Sequence, residues 1–107
     1  MSPACSVSDV PLGEGRQAEV DGVRVAIFHT ADGWYAVQAR CSHRGGPLAD
    51  GLVGERSVIC PLHAFRFDGA GGAPIGHACP ALETYPVEVR GEQIYVAVDV
   101  AAAAAAA

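Results

Sequence analysis

The sequence lacks several features that mark large classes of protein. It has no run of 18 consecutive apolar residues, so no segment predicts a membrane-spanning helix. Positive charge is scarce, because seven Lys and Arg stand against twelve Asp and Glu, and the formal net charge is −5. This balance argues against nucleic acid and anionic membranes as partners. The first ten residues lack the basic and apolar regions of a secretory signal, which favours a cytoplasmic location.

Helical periodicity and nucleotide-binding motifs are also missing. Before Ala101 no stretch repeats apolar residues every 3.6 positions between caps, so little helix is expected. The chain has no phosphate-binding loop, no dinucleotide fingerprint and no nucleophile–base pair, and we expect it not to be catalytic alone. Residues 1–100 are predicted to form one small domain, and the alanines at 101–107 a disordered tail.

The chain is instead patterned for β-structure. Short apolar and β-branched segments alternate with turn residues, which predicts an all-β sandwich or barrel. Two-residue hairpin turns are predicted at Asp21-Gly22, Asp32-Gly33 and Gly91-Glu92. The predicted strands cover residues 18–20, 23–28, 34–38, 57–60, 85–90 and 93–98.

Two short Cys–His pairs carry the strongest chemical signal. One residue separates Cys41 from His43, two residues separate Cys60 from His63, and 16 residues separate the pairs. Two thiolates and two imidazoles suit a binuclear iron–sulfur cluster in which Cys binds one iron and His the other. They also suit tetrahedral zinc, although zinc sites usually pair ligands of one type at wider spacings. We expect the cluster, with a zinc-binding interaction module as the alternative.

These motifs resemble those of Rieske [2Fe–2S] domains, and the similarity covers residues 4–99. It includes the sequence at 35–37, 45–48, 67–68 and 85–89, and it is strongest to nitrite reductase small subunits and to ferredoxins of oxygenase systems. The resemblance implies a β-sandwich base with a cluster-binding subdomain inserted at about residues 39–79. It also implies one [2Fe–2S] cluster per chain, bound by Cys41, His43, Cys60 and His63.

The same resemblance implies single-electron transfer, with two alternative settings. In the first, the chain is the small subunit of NAD(P)H nitrite reductase and works beside a large reductase subunit. In the second, it is a ferredoxin between a flavin-dependent reductase and a terminal oxygenase. Phe65 and Phe67 stand where high-potential relatives place hydroxyl donors. Their presence implies a potential at the low end of the Rieske range, toward roughly −150 mV.

The remaining candidate residues are expected to lie outside the metal site. Cys5 is expected to be a small buried hydrophobe in a first strand and Cys79 a loop residue. A disulfide between them is the alternative, although disulfides are rare in the cytosol. His29 lies in a predicted strand, where a structural role is expected. Arg44 and Arg66 lie near the predicted histidine ligands, where they either dock an acidic partner or form solvated surface.

Overall fold

The computed structural model describes residues 2–40, 47–54, 57–59, 66–68, 71–76 and 81–98. In these ranges eleven short strands form three antiparallel sheets, which confirms the predicted all-β fold. Short 3-10 turns lie at Val7–Asp9 and Leu48–Asp50. Across the same ranges no helix has both the length and the apolar character needed to cross a membrane.

Each sheet has a simple antiparallel order. The first contains, in spatial order, β1 (Ser2–Ser6), β11 (Gln93–Val96) and β10 (Val87–Arg90). The second contains β2 (Gly15–Val20), β3 (Val23–Thr30), β4 (Gly33–Gln38) and β9 (Thr84–Tyr85). The third contains β5 (Leu52–Val53), β6 (Ser57–Ile59), β7 (Arg66–Asp68) and β8 (Pro74–Ile75).

Strand β3 belongs to two hydrophobic cores because both of its faces are buried. Alternate residues of a strand point to opposite faces. Val25 and Ile27 lie in the first core, while Ala26 and Phe28 lie in the second. The first core also contains Val10, Val20, Ala36, Tyr85, Ile94, Val96 and Val98. The second also contains Val37, Leu48, Val58, Phe67 and Leu82.

The hairpin turns were predicted with mixed success. Asp21 and Gly22 have φ of 50° and 82°, and they join β2 to β3 as predicted. The turn between β3 and β4 was predicted one residue too late, because Thr30 pairs with Gly33 and leaves residues 31–32 as the turn. The physical reason is the Thr30 hydroxyl, which accepts hydrogen bonds from the amides of Asp32 and Gly33, both at 3.1 Å.

The predicted strand at residues 85–90 is wrong, since two strands in different sheets replace it. β9 pairs with β4, and β10 pairs with β11. Pro86 separates them, and proline has no N–H to donate to a ladder. Its carbonyl accepts a hydrogen bond from the Ala97 amide at 3.1 Å. The turn at Gly91-Glu92 is confirmed, with Gly91 at a φ of 60°.

Candidate metal centre

The first predicted ligand segment, residues 41–46, is closed at its base by paired residues. Arg40 and Pro47 form an antiparallel bridge on either side of it. The Leu48 amide donates to the Ala39 carbonyl at 3.0 Å, one residue further out on both sides. The chain therefore leaves β4, runs through six residues and returns beside its starting point. Those six residues lie outside the described part of the chain and include Cys41 and His43.

The second predicted ligand segment, residues 60–65, has the same arrangement. Ile59 at the end of β6 pairs with Arg66 at the start of β7, and Val58 pairs with Phe67 below them. Again six residues connect two paired positions. In each segment the cysteine directly follows the paired residue and the histidine comes later. The second pair, Cys60 and His63, also lies outside the described residues.

The bases of the two segments meet in the second core. Leu48 follows the first segment, while Val58 and Phe67 flank the second, and all three side chains are completely buried. They belong to one cluster of contacting apolar side chains. The two Cys–His segments consequently start from neighbouring positions, although they are far apart in the sequence.

The connection at residues 81–83, which leads into β9, packs against these bases. Leu82 is buried in the same core, and its amide donates to the Gly72 carbonyl at 2.7 Å. The Gly72 amide in turn donates to the Asp68 carbonyl at 2.7 Å, at the end of β7. Gly72 has a φ of 76°, and a Cβ added there would lie 2.1 Å from the Leu82 carbonyl oxygen. This position therefore requires glycine for both its dihedral angle and its lack of a side chain.

The Gln38 side chain links residues 81–83 to the first ligand segment by hydrogen bonds, a role that sequence reasoning missed. Its side-chain oxygen accepts a hydrogen bond from the Glu83 amide at 2.8 Å. Its side-chain nitrogen donates to the Arg40 carbonyl at 2.7 Å, next to the predicted ligand Cys41. Sequence analysis treated Gln38 only as the end of a strand. The available signal was the position of a long amide side chain three residues before the predicted ligand Cys41.

The other candidate residues have varied surroundings. Cys5 lies in β1, as expected, but its free thiol is half-buried where a buried one was predicted. Burial raises its pKa, assisted by the nearby Asp9 carboxylate. His29 lies in β3 with its Nδ1 3.1 Å from the Val10 carbonyl oxygen, and its ring stacks on Trp34 with centroids 3.9 Å apart. These contacts agree with the structural role expected for His29. Cys79, Phe65 and Arg44 lie outside the described residues.

The donor set and its framework fit a Rieske cluster. A [2Fe–2S] cluster of this type requires two thiolates on one iron and two imidazoles on the other. Each of the two segments supplies one donor of each kind, and their bases share one buried apolar core. The second core at the bases of the segments is apolar, and a hydrophobic shell is one of the means by which proteins tune such sites.

Comparison with known proteins agrees with this fit. The family profile for the Rieske [2Fe-2S] domain matches residues 1–86. A 3-phenylpropionate/cinnamic acid dioxygenase ferredoxin subunit from Shigella boydii serotype 4 (strain Sb227) is 39% identical over 95 residues, which cover 87% of this chain and 89% of the relative.

Two solved structures have a similar fold along nearly their whole length. The ferredoxin of carbazole 1,9a-dioxygenase from Nocardioides aromaticivorans IC177 has a TM-score of 0.81 and 31% identity, covering 91% of this chain and 98% of that one. A protein described as the NADH-dependent nitrite reductase small subunit of Mycobacterium tuberculosis has a TM-score of 0.80 and 26% identity, covering 89% and 91%.

Proposed function

Since the chain belongs to the Rieske [2Fe–2S] family and is an electron-transfer protein with one cluster, we propose that it carries single electrons from a flavin-dependent reductase to a terminal oxygenase. The observation that carries the proposal is the 39% identity to a dioxygenase ferredoxin subunit. Among the solved structures, the carbazole 1,9a-dioxygenase ferredoxin is 31% identical and the nitrite reductase small subunit 26%. We also propose that the cluster ligands are Cys41, His43, Cys60 and His63.

The order of residues in each segment supports a division of roles between the two kinds of ligand. Cys41 and Cys60 directly follow the paired residues, so they are attached to the most constrained part of the framework. His43 and His63 come two and three residues after the cysteines of their segments. The cluster supplies a one-electron couple when bound. As ligands through one ring nitrogen, the histidines would each keep a second ring nitrogen that can hold a proton.

The formal charges of the chain are distributed unevenly around the proposed site. The subdomain at residues 39–79 has four arginines and three carboxylates, a net charge of +1. The rest of the chain has three arginines and nine carboxylates, a net charge of −6. An asymmetric charge distribution steers the encounter of two proteins and orients them before contact. The charge asymmetry of this chain therefore orients its cluster-bearing end toward an acidic docking face on the reductase or oxygenase.

Exposed arginines on the two halves of the chain allow this orientation to be tested. Arg66 lies at the start of β7 in the subdomain, and Arg24 lies in β3 outside it. Arg66→Glu should slow electron transfer and reduce its dependence on ionic strength. Arg24→Glu changes the net charge equally and should have a much smaller effect. Equal slowing by both variants would contradict a docking face at the cluster-bearing end.

The function itself is tested by reconstitution. Purified protein is mixed with NADH, a flavoprotein reductase and the terminal oxygenase of an aromatic-ring dioxygenase system. We expect oxygenase turnover to require this chain and to stop with the Cys41→Ala variant. Reduction of the chain without delivery to any oxygenase, combined with nitrite-dependent oxidation by a sirohaem-containing subunit, would refute the ferredoxin proposal.

The second candidate is the small subunit of an NAD(P)H nitrite reductase. It is supported by the TM-score of 0.80 to a nitrite reductase small subunit, which lies within 0.01 of the TM-score to the carbazole 1,9a-dioxygenase ferredoxin. The sequence at residues 45–51 and 85–89 also favours it. A stable complex with the large reductase subunit, isolated by gel filtration, distinguishes this candidate from a freely diffusing ferredoxin.

The domain limits and the location accompany the functional proposal. We propose a single domain at residues 1–100, with the cluster-binding subdomain at about 39–79. The third sheet lies inside the latter range together with Leu48, Val58 and Phe67 of the second core, which supports it. We propose a cytoplasmic location, where NADH-dependent flavoprotein partners are available. Fractionation of the source cells with an antibody to the chain tests the location.

A further inference from the structure

The ladder between β4 and β9 ends in an unusual way. Ala36 pairs with Tyr85 and Val37 with Thr84, and the Gln38 amide then donates to the Glu83 carbonyl at 2.9 Å. The next hydrogen bond uses a side chain in place of backbone. The side-chain oxygen of Gln38 accepts from the Glu83 amide at 2.8 Å, which satisfies that donor where the strand pairing stops.

The other half of the same side-chain amide reaches toward the first ligand segment. Its nitrogen donates to the Arg40 carbonyl at 2.7 Å. An amide group is planar, so hydrogen bonds at both its oxygen and its nitrogen fix its orientation. The Arg40 carbonyl belongs to the peptide that leads into Cys41, and a peptide group is itself planar. Holding its oxygen therefore fixes the plane of that peptide.

We propose that Gln38 is a positioning residue of the metal centre, which sets the orientation of the Arg40–Cys41 peptide against the connection at residues 81–83. This inference rests on the proposed role of Cys41 as a ligand. The connection is itself fixed by the buried Leu82 and by the hydrogen bond from its amide to Gly72. Gln38 thus ties the start of the first ligand segment, through its two hydrogen bonds, to residues that are packed in the second core.

The expected consequence is electronic as well as structural. The potential and the electronic structure of an iron–sulfur cluster depend on ligand orientation and on hydrogen bonds around the sulfurs. A residue that only stabilised the fold would change the unfolding transition and leave those properties alone. A positioning residue changes them while the cluster is still bound.

Gln93 provides a matched control in another sheet. It is half-buried like Gln38, and its side-chain nitrogen donates to the Cys5 carbonyl at 2.8 Å, in the ladder between β1 and β11. Gln38→Met and Gln93→Met each replace an amide by an uncharged side chain of similar length. Each variant is prepared with its cluster, and three quantities are compared with the wild type: the EPR g-values of the reduced protein, the midpoint potential and the rate of iron loss to a chelator.

We expect Gln38→Met to shift the g-values and the potential and to lose iron about tenfold faster, as loss of two hydrogen bonds near the site predicts. Gln93→Met should match the wild type in all three quantities. Identical g-values, potential and iron loss in the two variants would overturn the proposal. If Gln38→Met assembles no cluster, Gln38→Glu replaces it in the test, since a carboxylate still accepts from Glu83 but cannot donate to Arg40. Wild-type g-values in that variant would likewise overturn the proposal. A wild-type protein without iron would instead refute the ligand assignment.

Discussion

Gly72→Ala should destabilise the protein far more than the same change at a second glycine of similar backbone conformation. Gly72 has a φ of 76° and Gly91 a φ of 60°, so alanine pays a similar backbone penalty at both, about 1 kcal/mol. Only at Gly72 does the new Cβ collide, since it would lie 2.1 Å from the Leu82 carbonyl oxygen. At Gly91 nothing lies within 4 Å of it.

The additional cost follows from the hydrogen bonds that the collision disturbs. Moving Leu82 away weakens the bond from its amide to Gly72 and the bond from Gly72 to Asp68, each worth about 1 kcal/mol. The total at Gly72 is therefore about 3 kcal/mol, against about 1 kcal/mol at Gly91. In a domain of this size each kcal/mol lowers the Tm by roughly 4–8 °C.

Thermal and urea unfolding of the cluster-loaded proteins, followed by circular dichroism, measure the difference. We expect Gly91→Ala to unfold roughly 4–8 °C below the wild type and Gly72→Ala roughly 12–24 °C below it. Iron release should accompany unfolding in both. If the free energies of unfolding of the two variants differ by less than about 1 kcal/mol, the connection at residues 81–83 moves aside at little cost. Its proposed role as a rigid support for Gln38 would then be refuted.

Three further predictions concern the metal, the potential and one tyrosine. Alanine at any proposed ligand should abolish the bound iron, measured as about two irons per wild-type chain, whereas Cys5→Ser should keep the visible spectrum; loss of colour in the latter would show that the ligands are misassigned. The midpoint potential by protein-film voltammetry should lie well below zero, toward roughly −150 mV, and a value near +300 mV would contradict the low-potential assignment. Burial, with help from the Glu83 carboxylate, raises the pKa of Tyr85 above its ordinary value of 10.0. The stabilisation from this shift is complete below that ordinary value and is lost as pH rises through the folded pKa. Absorbance titration at alkaline pH should therefore show a late tyrosine component that Tyr85→Phe removes, and its persistence in the variant would refute the assignment.

Local sequence signals predicted the features that depend on neighbouring residues. Asp21-Gly22 formed the expected turn because both residues tolerate positive φ. The turn after β3 was misplaced because the hydroxyl of Thr30 satisfies two amides beyond it, which the turn residues themselves do not reveal. The division of the predicted strand at Pro86 could have been predicted, since proline removes a ladder donor. The alternating apolar residues around Pro86 outweighed that signal.

The candidate site was predicted as a set of residue types, without the structure that supports it. The Cys–His spacing identified the proposed ligands, and the resemblance gave the family. Neither revealed the partners of Gln38, because Glu83 is 45 residues away in the sequence and meets it only in the folded sheet. The same applies to Gly72 and Leu82, whose close contact depends on the return of the chain to the second core.

Strand β3 has a consequence for how the molecule can be divided. Its eight residues contribute Val25 and Ile27 to one core and Ala26 and Phe28 to the other, so neither core is complete without the same stretch of backbone. A subdomain cut out at residues 39–79 would leave Phe28 behind and expose the apolar side chains that it covers. The loops that are proposed to hold the cluster are therefore not a transplantable module. In terms of native-state fluctuations, we expect amides at the centre of β3 to exchange only when both cores open together.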